Sequence, residues 1–398
     1  GIHRDVSLEY HALTTIMYWG RWFPVTIPRM RFSLRQLSAW TQNNITSKVT
    51  PIKYNLNINE QILASIGTAI PQPTLVRGLF VESAAPPLHN NTPPVLENNR
   101  KVIFWIYGGA FLSGDVEGNL GPAEWVGKSV KRDVFLPQYR LVPESLDYDE
   151  VCWDIILAYR WLRDAKRYKP ENIILYGISS GGGLAVRLLQ MIGAKMERIQ
   201  KIEAAAAAGQ LMPIPTTIKK IKAGKGTGKR DERPQNSSAP YDFMSIPEYM
   251  FPFLDDIMPQ GAVLQSPFVD YTEPKGSMIE YDKHDLIVNQ SVTECGFPYF
   301  ERALGNATQR RAASPAYGVM ANLPPLCVVV SEHETVFDQT ILMVNRAREE
   351  GNVEVTLGVW KYMCHVFSFL SGFCPEGKQA IEFSNQWIIQ QERRRNSQ

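Results

Sequence analysis

Gly177-Ile178-Ser179-Ser180-Gly181 places a serine between two glycines, directly behind the apolar run Asn172-Ile-Ile-Leu-Tyr176. Where a strand turns sharply into a helix, a G-x-S-x-G pattern pushes the central side chain out of the sheet edge into a strained, exposed position. The small flanking residues give that turn its room, and the helix N-terminus behind it favours negative charge nearby. The pattern centres on Ser179, with Ser180 as the neighbouring alternative. A serine hydroxyl presented in this way becomes a nucleophile when a general base takes its proton.

The chain has six histidines to supply that base: His3, His11, His89, His284, His333 and His365. A partner for Ser179 belongs on a loop at the carboxyl edge of the same sheet. His365 follows the apolar run Val353–Val359 by a short loop and lies C-terminal to the serine. His284 sits in a polar loop with Asp282 and Asp285 and reads as solvated, while His333, flanked by Glu332 and Glu334, falls too early in the order. An acid that orients the base is sought after the preceding run, Leu326-Cys-Val-Val-Val330, where Glu332, Glu334 and Asp338 compete. Asp338 reads as the cap of a following helix, Glu334 is favoured, and Glu332 stays open as the alternative. Donors for a developing oxyanion are expected from the N–H groups of Gly108 and Gly109, in Tyr107-Gly-Gly-Ala-Phe111, joined by that of Ser180. Loss of one such donor costs about 2.7–4 kcal/mol of transition-state stabilisation. The His/Glu cluster has no H-E-x-x-H or Cys/His ligand spacing, so neither a metal nor an organic cofactor is expected.

These residues need a scaffold that brings strand ends to one edge. Lys101–Tyr107 is a continuous apolar run of the kind buried in a parallel sheet. Asp133–Tyr139, Asn172–Tyr176, Ala262–Gln265, Leu326–Val330 and Val353–Val359 read as further strands. Between them, Cys152, Ile155, Ile156, Tyr159 and Leu162 recur at helical spacing. Helices are also expected from Gly182 through Met191, from Asp338 to a stop at Gly351, and from about Lys378 to Gln391, where Ala380, Phe383 and Trp387 share a face. Such alternation predicts an α/β fold: a mostly parallel central sheet flanked by helices. Residues 1–72 break the alternation and are assigned to an N-terminal helical cap, and residues 73–398 to the catalytic domain. Trp19, Trp22, Phe23 and Trp40 lie in the cap segment among Arg21, Arg29, Arg31 and Arg35. That composition suits a lid over the core or a peripheral membrane contact.

The 398 residues carry 42 basic and 40 acidic side chains, a net +2 that gives no reason to expect a nucleic-acid partner. The balance is uneven. Lys219 to Arg233 holds seven basic residues against Asp231 and Glu232, so this stretch is +5 and the remainder −3. Rich in glycine and poor in apolar residues, it reads as a flexible insertion over about 205–240, with membrane phosphates or an acidic partner as a possible contact. The run Ala223-Gly-Lys-Gly-Thr-Gly-Lys229 lacks the first glycine and the final Ser/Thr of a phosphate-binding loop. Five cysteines are too few for a disulfide scaffold; Cys152 and Cys327 read as buried, and Cys295, Cys364 and Cys374 leave room for one disulfide, with five free thiols the alternative. N-x-S/T sites at Asn44, Asn90, Asn236, Asn289 and Asn306 lean towards the secretory pathway or a membrane-associated location. The start at Gly1 leaves an upstream leader or anchor open. Met244–Met258, rich in Met and Phe, is a candidate lining for an apolar pocket, with core packing the alternative.

Seven motifs now stand in order: Tyr107-Gly-Gly-Ala-Phe111, Tyr139-Arg-Leu-Val-Pro-Glu144, Gly177-Ile-Ser-Ser-Gly181, Ser314-Pro315, Leu323-Pro-Pro325, Glu332-His-Glu334 and His365-Val-Phe367. Together they resemble the hormone-sensitive-lipase-like α/β-hydrolases, over roughly Leu75 to the C-terminus. The resemblance implies a serine carboxylic-ester hydrolase with an N-terminal cap, its nucleophile at Ser179, acid at Glu334 and base at His365, acting on a small or lipophilic ester. Three positions depart from the family pattern: Tyr107 where a histidine is usual, Ile178 where aspartate is common, and Glu334 where aspartate is common. The rival expectations are an acyltransferase on the same fold and a non-catalytic ligand-binding receptor.

Overall fold

The computed structural model describes residues 6–20, 26–29, 31–32, 45–56, 70, 74–83, 100–142, 144–145, 147–208 and 246–397. Eight strands form one sheet: β1 (Lys48–Asn55), β2 (Leu75–Glu82), β3 (Val102–Ile106), β4 (Asp133–Gln138), β5 (Ile173–Ile178), β6 (Gly261–Gln265), β7 (Leu326–Ser331) and β8 (Val355–Trp360). Their order across the sheet is β1-β2-β4-β3-β5-β6-β7-β8. From β4 to β8 every pairing is parallel, while β1 with β2 and β2 with β4 are antiparallel. β3, β5, β6 and β7 are buried along their whole length, as continuous apolar runs must be when both sheet faces are covered. Trp105 on β3 stacks flat on Tyr176 of β5 at 4.3 Å and donates its indole N–H to Asn119 Oδ1 at 3.2 Å.

Seven helices matter for the site: α1 (Leu8–Gly20), α2 (Val116–Val130), α3 (Tyr148–Asp164), α4 (Ser180–Ala207), α5 (Gln290–Leu304), α6 (Phe337–Glu349) and α7 (Pro375–Asn396). The apolar positions read on α3 are all buried, and its N-cap Asp147 accepts from Asp149 N. α4 begins directly after Ser179 and extends well beyond Met191, taking in Ala205–Ala207 at the start of the expected insertion. α7 starts with Pro375 in its first turn, where the missing N–H costs nothing, and outruns the expected span at both ends.

Two expectations change, and the alternative left open for the cysteines is decided. β1 lies inside residues 1–72, so part of the span assigned to a cap is an edge strand; its mostly exposed residues and Pro51 hide the strand pattern. Asp338 does not cap α6. The N-cap is Val336, and the Asp338 carboxylate instead accepts from Ser277 N at 2.8 Å. All five cysteines are free. Cys364 and Cys374 sit in an apolar cluster with Val6, Tyr10 and Phe367, and burial pushes the Cys374 thiol up to about 11.

Trp22, Phe23, Trp40, Arg21, Arg35 and the basic run Lys219–Arg233 lie outside the described residues. Arg31 is described: it donates Nε to Leu112 O at 3.0 Å and pairs with Glu144 at 2.7 Å. Asn289 and Asn306 each cap a helix with their side chains. Among the described residues no helix is long and apolar enough to cross a membrane.

Candidate active site

β5 ends at Ile178 and α4 begins at Ser180, so Ser179 alone makes the turn, at φ 52° and ψ −120°. A non-glycine residue in this region costs about 1–3 kcal/mol and persists only when its surroundings over-determine it. They do so here. Ser179 N donates to Gln265 O at 2.9 Å, and Ser179 O accepts from Gly182 N, Gly183 N and Phe268 N. Two glycines are required by close approach. A Cβ on Gly108 would lie 2.9 Å from that of Ser179, and one on Gly181 would lie 2.1 Å from Ile106 O.

His365 and Glu334 meet this serine. His365 Nε2 lies 2.8 Å from Ser179 Oγ, and His365 Nδ1 lies 2.8 Å from Glu334 Oε2. The other Glu334 oxygen accepts from Ser266 Oγ at 2.9 Å and Ser331 N at 2.7 Å. Glu334 is fully buried, and His365 and Ser179 are nearly so. Burial pushes the Glu334 carboxyl above its usual range, against the pull of its bond to His365 and that ring's charge. The competitors stay apart. Glu332 is half-buried and 3.5 Å from His333, His333 Nδ1 accepts from Tyr362 N, and His284 is exposed.

Gly108 and Gly109 leave β3 on the same edge. Their N–H groups have no acceptor among the described residues. Ala110 and Phe111 follow at φ 53° and 60°, and Gly109 O closes the turn by accepting from Leu112 N and Ser113 N. Val142 N, from the Tyr139–Glu144 stretch, donates to Phe111 O at 2.7 Å and braces this turn. The Ser180 side chain is fully buried, with its Oγ facing Phe111 N at 3.4 Å. That removes it as a rival nucleophile and leaves its backbone N–H in the first turn of α4. Tyr107, at the position where a histidine is usual, stacks on Tyr139 at 4.3 Å, and each hydroxyl donates to the other's carbonyl.

Comparison with known proteins bears on the fold that carries this site. A family model described as alpha/beta hydrolase fold matches residues 103–251 and 245–369. The chain belongs to the α/β-hydrolase family that this model describes. It is 22% identical over 296 residues to an acetyl-hydrolase of Streptomyces hygroscopicus, covering 74% of this chain and 77% of that protein. An esterase of Acinetobacter venetianus matches at 22% over 281 residues, 71% of this chain and 72% of that one. An esterase from the bacterial hormone-sensitive lipase family shares the fold, with a TM-score of 0.65 at 21% identity over 97% of this chain and 98% of that one. The protein is a carboxylic ester hydrolase.

In this hydrolase Ser179 and His365 open into a small cavity of about 50 Å³. Its walls are apolar: Ala110, Phe268 and Tyr271 on one side, Val292, Gly296, Phe297 and Phe300 from α5 on the other. No residue of Met244–Met258 lines it. Within that stretch Met250, Phe253 and Leu254 are core, and Phe253 packs edge-on against Trp153 at 4.9 Å. The sequence reading did not assign α5 as a helix, so its place over the site was not expected. A larger open groove of about 500 Å³, between Arg311, Tyr317 and Arg346, contains none of these residues. Asp285, Glu334 and His365 offer ligand atoms within 4.8 Å of one another. Both Asp285 oxygens already accept N–H groups, and Glu334 is taken up by Ser266, Ser331 and His365. A cation would have to displace those donors, so the set does not fit a metal.

Proposed function

We propose that this hydrolase cleaves esters of short acyl chains through a covalent acyl–Ser179 intermediate. The carrying observation is the unbroken hydrogen-bonded line from Ser179 Oγ to His365 Nε2, and from His365 Nδ1 to Glu334, at 2.8 Å in both links. Ser179 Oγ attacks the ester carbonyl while His365 Nε2 takes its proton. Glu334 holds the tautomer with hydrogen on Nδ1 and stabilises the imidazolium. The carbonyl oxygen becomes an oxyanion against the N–H groups of Gly108, Gly109 and Ser180. The tetrahedral adduct collapses, the C–O bond to the alcohol breaks, and His365 protonates the departing oxygen. Water then attacks the acyl-serine with His365 again as base, releasing the acid and restoring Ser179. The apolar walls and small volume beside Ser179 support a short acyl group.

Replacing Ser179 with Ala is expected to abolish both turnover of a short-chain aryl ester and labelling by a fluorophosphonate. Continued labelling of that variant would show that another residue is the nucleophile.

A further inference from the structure

The loop that carries His365 lies between β8 and α7, and its backbone bonds to side chains. Five consecutive N–H groups do so. Tyr362 N donates to His333 Nδ1 at 3.3 Å, Met363 N to Ser331 Oγ at 3.1 Å, and Cys364 N to the Tyr10 hydroxyl at 2.6 Å. His365 N donates to Asp285 Oδ1 at 3.2 Å and Val366 N to Ser266 Oγ at 3.1 Å. With Val366 at φ 54°, the loop has no ladder of its own, and these acceptors set where the imidazole stands.

Asp285 differs from the other acceptors in being a carboxylate and in the number of donors it takes. Oδ1 also accepts from Ile287 N at 3.0 Å and Val288 N at 3.2 Å. Oδ2 accepts from Thr335 N at 3.2 Å and Thr335 Oγ1 at 3.3 Å, on the residue that follows Glu334. The side chain is 1% exposed. Five donors converge on it, and a carboxylate, acceptor-only when ionised, satisfies them all. An amide must turn its NH2 towards one set and oppose donor to donor.

We propose that Asp285 is a positioning residue of the hydrolytic site, tying the loop of His365 to the loop of Glu334 and placing a second negative charge beside the imidazolium. This rests on the acyl-enzyme mechanism above. The titratable groups packed around it are Glu334 and His365, Tyr10 from α1, and Cys364 on the base loop. Asp282, Lys283 and His284 precede Asp285 on its own loop. Burial pushes the Tyr10 hydroxyl and the Cys364 thiol well up, so both stay neutral in the working range.

The test is Asp285→Asn in the full chain, with steady-state kinetics on a short-chain aryl ester across pH. The expected result is a kcat lower by about 10- to 100-fold with KM within about twofold. The acid limb of kcat/KM should also move to lower pH by about half to one unit, because the imidazolium has lost a nearby negative charge. A kcat within about twofold of the parent, or an unmoved limb, overturns the proposal. Should this variant not fold, as judged by near-ultraviolet circular dichroism, Thr335→Val is the second variant. It removes one bond to Asp285 and keeps the charge, so kcat should fall about threefold or more with the limb in place; unchanged kcat overturns the tether. The two readings fail separately. Turnover by Ser179→Ala sinks the mechanism, whereas a parent labelled at Ser179 with a silent Asp285→Asn sinks only this proposal.

Discussion

Glu334 gives one oxygen to His365 and the other to Ser266 and Ser331, and it is fully buried. In Glu334→Gln the amide nitrogen would donate to Nδ1 and leave the hydrogen on Nε2, facing Ser179, so the ring could not accept the serine proton. We expect kcat to fall by about 10³- to 10⁴-fold, measured against the same aryl ester. The substitution also has a stability signature. Burial raises the folded-state value of Glu334 above 4.5, so ionising it opposes folding. The stability this group contributes is fully present below 4.5 and is lost as pH rises through the raised value. The stability of Glu334→Gln relative to the parent should therefore grow as pH rises from 4.5 through the raised value and level off above it, read from urea midpoints; a shrinking difference would contradict it. Ser179, His365 and Glu334 were legible in the sequence because each sits at the end of an apolar run inside a local motif. Asp285 was not. It lies 80 positions from His365, beside a solvated histidine, and nothing local distinguishes it from an ordinary polar loop residue.

At the level of elements, α5 was the largest omission. Its sequence, QSVTECGFPYFERAL, carries Val292, Phe300 and Leu304 at helical spacing but also holds a glycine and a proline, and both residues weaken a helix reading. It folds because Asn289 caps it and because Phe300 packs into the ring cluster of Phe111 and Phe268. Phe297 lies beside Phe300 in the cavity wall and is only half-buried. Phe297→Ala should enlarge the acyl space and raise kcat/KM for longer acyl chains relative to acetyl by about tenfold, the scale at which apolar pockets discriminate. A series of p-nitrophenyl esters from acetyl to octanoyl reads this directly, and an unchanged chain-length profile would move the acyl group elsewhere. The Met/Phe-rich stretch suggested a pocket by composition, but Trp153 claims its aromatic ring, and composition does not say which apolar partner a segment meets.

Over the whole molecule, the edge opposite the site gathers around a buried cation. Arg132, at the turn between α2 and β4, has a fully buried side chain that bonds Glu392 on α7, Asn172 O before β5, and Gln260 before β6. Burial lowers its guanidinium to about 10, still protonated at neutral pH. Arg132→Ala leaves these acceptors without their donor and should destabilise the fold by about 3–5 kcal/mol, measured by urea unfolding. A loss below about 1 kcal/mol would mean that the clamp is not worth its desolvation. At the other end, α1 joins the same body. Ser7 bonds Glu376 at 2.6 and 2.8 Å, and Tyr10 reaches the base loop, so an early segment of the chain abuts the loop of the proposed base.

The sequence by itself determined the parallel core, because fully buried strands must be written as continuous apolar runs. It also singled out Ser179, His365 and the Glu332–Glu334 pair, because each follows such a run; the meeting of Glu334 with His365 came from the fold. The tertiary structure decided what depends on partners far apart in the chain. It set the antiparallel edge of β1 and β2, where β1's mostly exposed residues carry little apolar signal. It brought α5 over the serine, and it placed Asp285 between the two loops. Those features rest on contacts across tens to hundreds of residues, and a local pattern records only what its own backbone needs.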